Sequence, residues 1–148
     1  MSLLTGGLHH LTIRTTDLAR AKRFYIETLG FQPVRERDGA LLLNAHGTMF
    51  GVLGAAPETS TEDRFDPFRV GLDHLALAVD NAELLHELKQ QLDAAAVRNN
   101  GVQDDTRTGA RYVAFYDPDG IAWELYATPV PSDTETQERN EPTDRLTD

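Results

Sequence analysis

The sequence has no cysteine. That excludes disulfides, thiolate metal ligands and a cysteine nucleophile, and it leaves the redox compartment open. Positive charge is scarce: 14 Lys and Arg stand against 24 Asp and Glu, for a net charge of −10. With so little to neutralise phosphates, a nucleic-acid partner is not expected. Long hydrophobic runs are also missing. Nothing approaches the roughly 20 apolar residues that span a bilayer, and the first residues lack a signal-peptide pattern. A cytoplasmic protein without a membrane partner is the expectation. What remains is a chain of 148 residues, 40% hydrophobic and 26% charged, the composition of one ordinary globular domain with a real core.

The chain is organised around Asp117-Pro118-Asp119-Gly120-Ile121-Ala122-Trp123-Glu124-Leu125-Tyr126. Pro118 pre-sets φ for the second position of a type I turn, Asp117 suits the first, and Gly120 relaxes the exit. Strands are expected on either side, 111–116 and 121–126. On the second, Ala122, Glu124 and Tyr126 share one face, opposite Ile121, Trp123 and Leu125. A carboxylate in so apolar a strand is costly to bury without a partner.

From the start of the chain, Gly7–Arg14 reads as a strand. Asp17 caps a helix over 18–29, whose inner stripe is Ala21, Phe24, Tyr25, Thr28 and Leu29, and Gly30 closes it. Strands at 31–37, 40–44 and 49–53 follow, joined at Asp38-Gly39 and 45–48. Beyond a polar stretch from about Gly54 to Val70, Gly71-Leu72-Asp73-His74-Leu75 repeats Gly7-Leu8-His9-His10-Leu11 in register. Asp80 with Glu83 makes a capping-box start for a helix to about Ala95, with Leu84, Leu85, Leu88 and Leu92 inward. Strands at 97–102, 111–116 and 121–126 complete a second βαβββ unit. Residues 1–54 and 71–128 are therefore two modules stacked to share a core, with a linker at 55–70. The tail at 129–148 is acidic, with Asp133, Glu135, Glu138, Glu141, Asp144 and Asp148 against Arg139 and Arg145, and reads either as a disordered extension or as a segment that packs on a partner chain.

His10 shares its strand face with Leu8, Thr12 and Arg14, and His74 shares its own with Leu72, Ala76 and Ala78. Leu11 and Ile13, and Leu75, Leu77 and Val79, lie opposite. Two histidines and Glu124 on faces lined by small residues could form a facial metal triad with open positions, suited to Fe, Mn, Zn, Ni or Co. A second reading stands beside it. A lone strand histidine is more often structural, and Glu124 could be a buried ion pair to Arg14 or Arg111. His9, His46 and His86 take the structural reading.

The two histidine strands, Phe24-Tyr25 followed by Leu29-Gly30-Phe31, and Asp-Pro-Asp-Gly followed by Trp-Glu-Leu resemble the vicinal oxygen chelate superfamily. That group spans glyoxalase I, extradiol dioxygenases, fosfomycin-resistance enzymes, methylmalonyl-CoA epimerase and the metal-free bleomycin-binding proteins. The resemblance covers residues 7 to about 127. It implies an α+β fold in which two βαβββ modules form a curved mixed-sheet cup. It also implies one divalent metal on His10, His74 and Glu124.

Glyoxalase I and the epimerase take a further Glu or His from the fourth strand of the first module, where Gly51 aligns here. Three-ligand members carry a functional tyrosine on the seventh strand, where Ala114 aligns, so Tyr112, Tyr116 and Tyr126 are the candidate catalytic side chains. The expected function is a metal-dependent lyase, transferase or dioxygenase that chelates a small oxygen-rich substrate. A metal-free, bleomycin-resistance-like binding protein is the alternative. The resemblance further implies a homodimer, in which the modules are exchanged if the long linker serves to reach a partner.

Overall fold

A computed structural model describes residues 6–129. In chain order the elements are β1 (His10–Arg14), α1 (Leu18–Arg23), β2 (Gln32–Arg37), β3 (Ala40–Ala45), β4 (Thr48–Leu53), β5 (Leu75–Ala78), α2 (Leu84–Ala94), β6 (Asn99–Asp104), β7 (Arg111–Tyr116) and β8 (Ala122–Ala127). They form two four-stranded sheets of identical topology, β1-β4-β3-β2 and β5-β8-β7-β6. In each the first strand runs parallel to the last, and the remaining pairs are antiparallel. This is the expected α+β pair of βαβββ modules. The acidic tail from residue 130 onward lies outside the described residues.

Alternation decides what each sheet buries. Ile13, Leu41, Leu43, Phe50 and Val52 point to one side of the first sheet, and Val113, Phe115, Trp123, Leu125 and Ala127 to one side of the second; all are buried. The two sides meet. Trp123 lies 5.5 Å from Phe50, 5.9 Å from Tyr25 and 5.9 Å from Phe31, ring centroid to centroid. The modules thus share one aromatic core. Every residue on the other side of each sheet, His10 and Glu124 among them, faces away from it.

Three local expectations are corrected. The first helix does not run as α-helix to Leu29: after Arg23 it widens into a π turn over Phe24–Thr28, with Leu29 N–H donating to Phe24 O. This turn carries the buried Phe24 and Tyr25, whose tertiary contacts override the local periodicity. Gly30 still closes the helix, at φ +71°. The second helix starts at Leu84, and its leading turn is tied by Asn81, whose Oδ1 accepts the Glu83 N–H, rather than by Asp80. In consequence Leu84 is 44% exposed while Leu85 and Leu92 are buried.

The Asp-Pro-Asp-Gly turn forms as expected, with Gly120 N–H donating to Asp117 O at 3.0 Å. Its two carboxylates reach across to the first module. Tyr25 donates its hydroxyl to Asp117 Oδ2 at 2.7 Å. Asp119 accepts from the hydroxyls of Thr15 and Thr16, from Thr16 N–H at 3.1 Å and from Arg20 Nη2 at 2.7 Å. The linker is pinned at the same place, by Phe65 N–H on Asp119 O at 3.0 Å. Within one chain the modules are thus clasped through their backs.

Candidate metal centre

His74 sits just before β5, and Glu124 is central on β8, beside Ala76 on one flank and Ala114 on the other. The two alanines leave the space above Glu124 open. His74 Nε2 stands 3.6 Å from Glu124 Oε2. The other ring nitrogen, Nδ1, is 2.6 Å from Asp73 Oδ1. That contact favours the tautomer with the proton on Nδ1 and frees Nε2 to face Glu124. Ligating histidines are commonly oriented this way, through a carboxylate on the far nitrogen. In the sequence nothing marks Asp73 beyond its place directly before His74.

The alternative ion pairs for Glu124 do not form. Arg14 Nη1 donates to Gly54 O at 2.7 Å, and Arg111 pairs with Asp104 at 3.0 Å. Glu124 is only 18% exposed in its side chain, and among the described residues His74 is the one basic group within ion-pair distance of it. A nearly covered carboxylate with no cation at contact distance is incomplete.

His10 opens β1 on the outward side of the first sheet. Its Nδ1 lies 2.9 Å from His9 Nδ1, so His9, read as structural, occupies the place relative to His10 that Asp73 holds relative to His74. Within one chain His10 does not join His74 and Glu124. Among the described residues no three ligand-type side chains converge on one point. His46 lies elsewhere, its Nε2 3.3 Å from Leu29 O and its ring edge-on to Phe31.

His74 and Glu124 line a concavity of about 380 Å³ with Ala76, Asp105, Tyr112 and Tyr126, within the size range of small-molecule sites. Tyr112 and Tyr126 are cross-strand partners with stacked rings 6.2 Å apart. Tyr126 donates to Asp105 Oδ2 at 3.0 Å and sits 2.7 Å from Thr108 Oγ1. Hydrogen bonds from Thr108 and from the Arg107 N–H hold the Asp105 carboxyl below the usual carboxylate range. Tyr112 has no hydrogen-bond partner for its hydroxyl among the described residues. Tyr116 stands apart: Arg98 lies 3.9 Å over its ring, its hydroxyl accepts from Asn100 at 3.3 Å, and it lines a different depression, with Phe24 and Asp117.

Register supports the place given to Gly51. Thr12, two residues past His10, pairs with Gly51; Ala76, two residues past His74, pairs with Glu124. Gly51 is therefore the first module's counterpart of Glu124. Thr12 fills the gap, since a Cβ at Gly51 would meet Thr12 Oγ1 at 2.6 Å. In a Thr12→Ala background, Gly51→Glu is expected to tighten metal binding at least about tenfold, a ligand outweighing the 10–100-fold effects of outer-shell changes. Unchanged affinity would contradict this equivalence.

The family model for the Glyoxalase/Bleomycin resistance protein/Dioxygenase superfamily matches residues 7–125. The chain belongs to this superfamily. Among its relatives is the uncharacterized protein YwkD of Bacillus subtilis (strain 168), 32% identical over 84% of this chain and 98% of that one. A glyoxylase/bleomycin resistance protein/dioxygenase domain from Frankia sp. EAN1pec superposes with a TM-score of 0.71 at 25% identity, covering 84% of this chain and 99% of that one. The fosfomycin resistance protein FosX of Listeria monocytogenes, solved with Mn(II), has the same fold: TM-score 0.69, 19% identity, 86% of this chain and 94% of that one. Among the described residues no helix is long and apolar enough to cross a membrane.

Proposed function

We infer that the protein is a metal-dependent enzyme that chelates two neighbouring oxygens of a small substrate at a site made by His10, His74 and Glu124. The observation that carries this is the His74–Glu124 pair. A mostly covered carboxylate with no cation at ion-pair distance faces an imidazole oriented by Asp73, on a strand face stripped to alanine on both flanks. This donor set, two imidazoles and one carboxylate, fits Fe, Mn, Zn, Ni or Co rather than Mg or Ca. When bound, such a metal supplies Lewis acidity and a template for two substrate oxygens.

The chain's own residues divide the remaining work. Asp73 and His9 hold the imidazoles in place. Ala76 and Ala114 leave room for substrate over Glu124. Tyr126 is committed to Asp105 and positions the wall, whereas the unpartnered Tyr112 hydroxyl is the group free to give or take a proton at a bound substrate. The site is completed by a second copy of the chain. The clasp at Asp117 and Asp119 turns both ligand-bearing faces outward, so His10 of one chain serves the His74 and Glu124 of the other. This favours the module-exchanged homodimer.

Reconstitution with Co(II), followed by titration with catechol, tests the function. One metal per chain is expected, with a visible spectrum that shifts on catechol addition in wild type and in Tyr112→Phe alike, while turnover of an identified substrate falls only in the variant. A protein that binds ligand without taking up metal would instead support the sequestering alternative.

A further inference from the structure

Arg107 is the one arginine or lysine lining the His74–Glu124 concavity among the described residues. Its backbone is held tightly. The β6–β7 turn is closed by Asp105 N–H to Ala110 O and Gly109 N–H to Asp105 O, both 2.8 Å, with Gly109 at φ +74°. Asp105 Oδ1 accepts the Arg107 N–H at 3.0 Å, and its Oδ2 takes the Tyr126 hydroxyl. Tyr126 is two residues from Glu124 on the same face, about 6.6 Å along the strand. The turn is therefore registered against the strand that bears Glu124.

The arm beyond this fixed base is free. Arg107 is 87% exposed in its side chain, and Asp105, its nearest carboxylate, is 3.8 Å from Nη2 and already engaged. An exposed arginine is ordinarily solvated and worth little to stability. Arg111, the neighbouring arginine across the hairpin, is paired with Asp104 at 3.0 Å. Arg107 differs in standing at the rim of a concavity with only the Asp105 contact at 3.8 Å, longer than a hydrogen bond, so its guanidinium donors are left over. The setting is a protein of net charge −10, whose field repels anions unless a local cation reverses it. Guanidinium presents a planar fork that matches carboxylate or phosphate in two parallel hydrogen bonds.

We propose that Arg107 is a specificity-determining residue that binds an anionic group, carboxylate or phosphate, carried by the substrate beside the two oxygens it offers to the metal site. The proposal rests on the metal-site reading above, and its test has one arm that does not. Full-length protein reconstituted with Zn(II) is titrated calorimetrically with catechol and with 3,4-dihydroxybenzoate, which present the same two oxygens without and with a carboxylate. Wild type is expected to prefer the carboxylate by about tenfold or more, as charge-assisted hydrogen bonds allow. Arg107→Gln should bring the ratio near one while catechol affinity and zinc content stay unchanged, and Arg107→Lys should keep part of it. A ratio that survives Arg107→Gln overturns the proposal. In the second arm, the Arg107 Nε–Hε resonance of metal-free protein is followed during titration with benzoate and with inorganic phosphate. A shift upholds the proposal, the stronger response naming the anion, and no shift with either overturns it. A shift without catechol binding in the first arm would count against the metal reading alone.

Discussion

His74→Ala, Glu124→Ala and His10→Ala are each expected to weaken metal binding by more than about 100-fold, beyond what outer-shell changes cost. Each removes one of three donors, and Glu124→Ala also removes the charge that offsets the cation. Asp73→Ala and His9→Ala leave all donors in place but release a ring, so about tenfold is expected of them. His46, 3.3 Å from Leu29 O and packed on Phe31, is the control and should not change affinity. Competition with a chromophoric chelator at pH 7.5 measures all six. Ligation needs deprotonated donors, so wild-type affinity should also decline on acidification. Undiminished binding by His74→Ala would contradict the assignment.

Asp119→Ala is expected to destabilise the fold by about 3 kcal/mol. It leaves the donors of Thr15 and Thr16 without their acceptor and Arg20 without its partner, and losing one side of a hydrogen-bonded charge pair costs this much even after a discount for the partial exposure of Arg20. Thermal unfolding should shift down by about 10 °C. Glu36→Ala, which breaks the exposed Lys22 contact at 2.6 Å, should cost less than about 1 kcal/mol. The clasp should also be acid-labile. Burial pushes the Asp119 carboxyl up, but hydrogen bonds from Thr15 and Thr16 and the Arg20 charge outweigh it and hold it below the usual range. Its folded pKa thus lies under the unfolded value of about 3.9. The stability it contributes is present above that value and is lost as pH falls through the folded one. Asp117 runs the other way. Burial raises it despite hydrogen bonds from Tyr25, Ile121 and Asp119, so its ionised form costs stability as pH rises through its folded pKa. The gap in stability between wild type and Asp119→Asn should therefore close below about pH 4. A constant gap would contradict the assignment to Asp119.

The repeat made most of this architecture legible. Matching Gly-Leu-x-His-Leu segments placed β1 and β5, two-residue alternation placed the buried faces, and Asp-Pro-Asp-Gly placed the β7–β8 turn. Features decided by distant partners were not legible. Asp117 and Asp119 read as turn formers, yet their carboxylates clasp Tyr25, Thr15, Thr16 and Arg20, nearly a hundred positions away in sequence. The π turn at Phe24–Thr28 follows from where Phe24 and Tyr25 must pack, which no local pattern encodes. Leu84 fitted an inward stripe until the helix began one turn later than Asp80 implied. At the site, His74 and Glu124 were foreseen and stand together. Asp73, Asp105 and Arg107 were missed because polar residues in loops carry no periodicity. Tyr116 was grouped with Tyr112 because both flank Ala114 on one strand face, but it lines another depression, with Phe24 and Asp117.

The central claim, a metal centre shared between two chains, is tested most directly by mixing metal-free His10→Ala with metal-free Glu124→Ala protein, letting subunits re-pair, and measuring bound metal. In an exchanged dimer each mixed pair holds one intact site, His10 from the Glu124→Ala chain with His74 and Glu124 from the His10→Ala chain. A 1:1 mixture should regain about one quarter of wild-type occupancy, since random pairing of symmetric dimers makes half of them mixed. If each site were built within one chain, every site in the mixture would keep its defect. Metal content no higher than that of either variant alone, with re-pairing verified, would contradict the account.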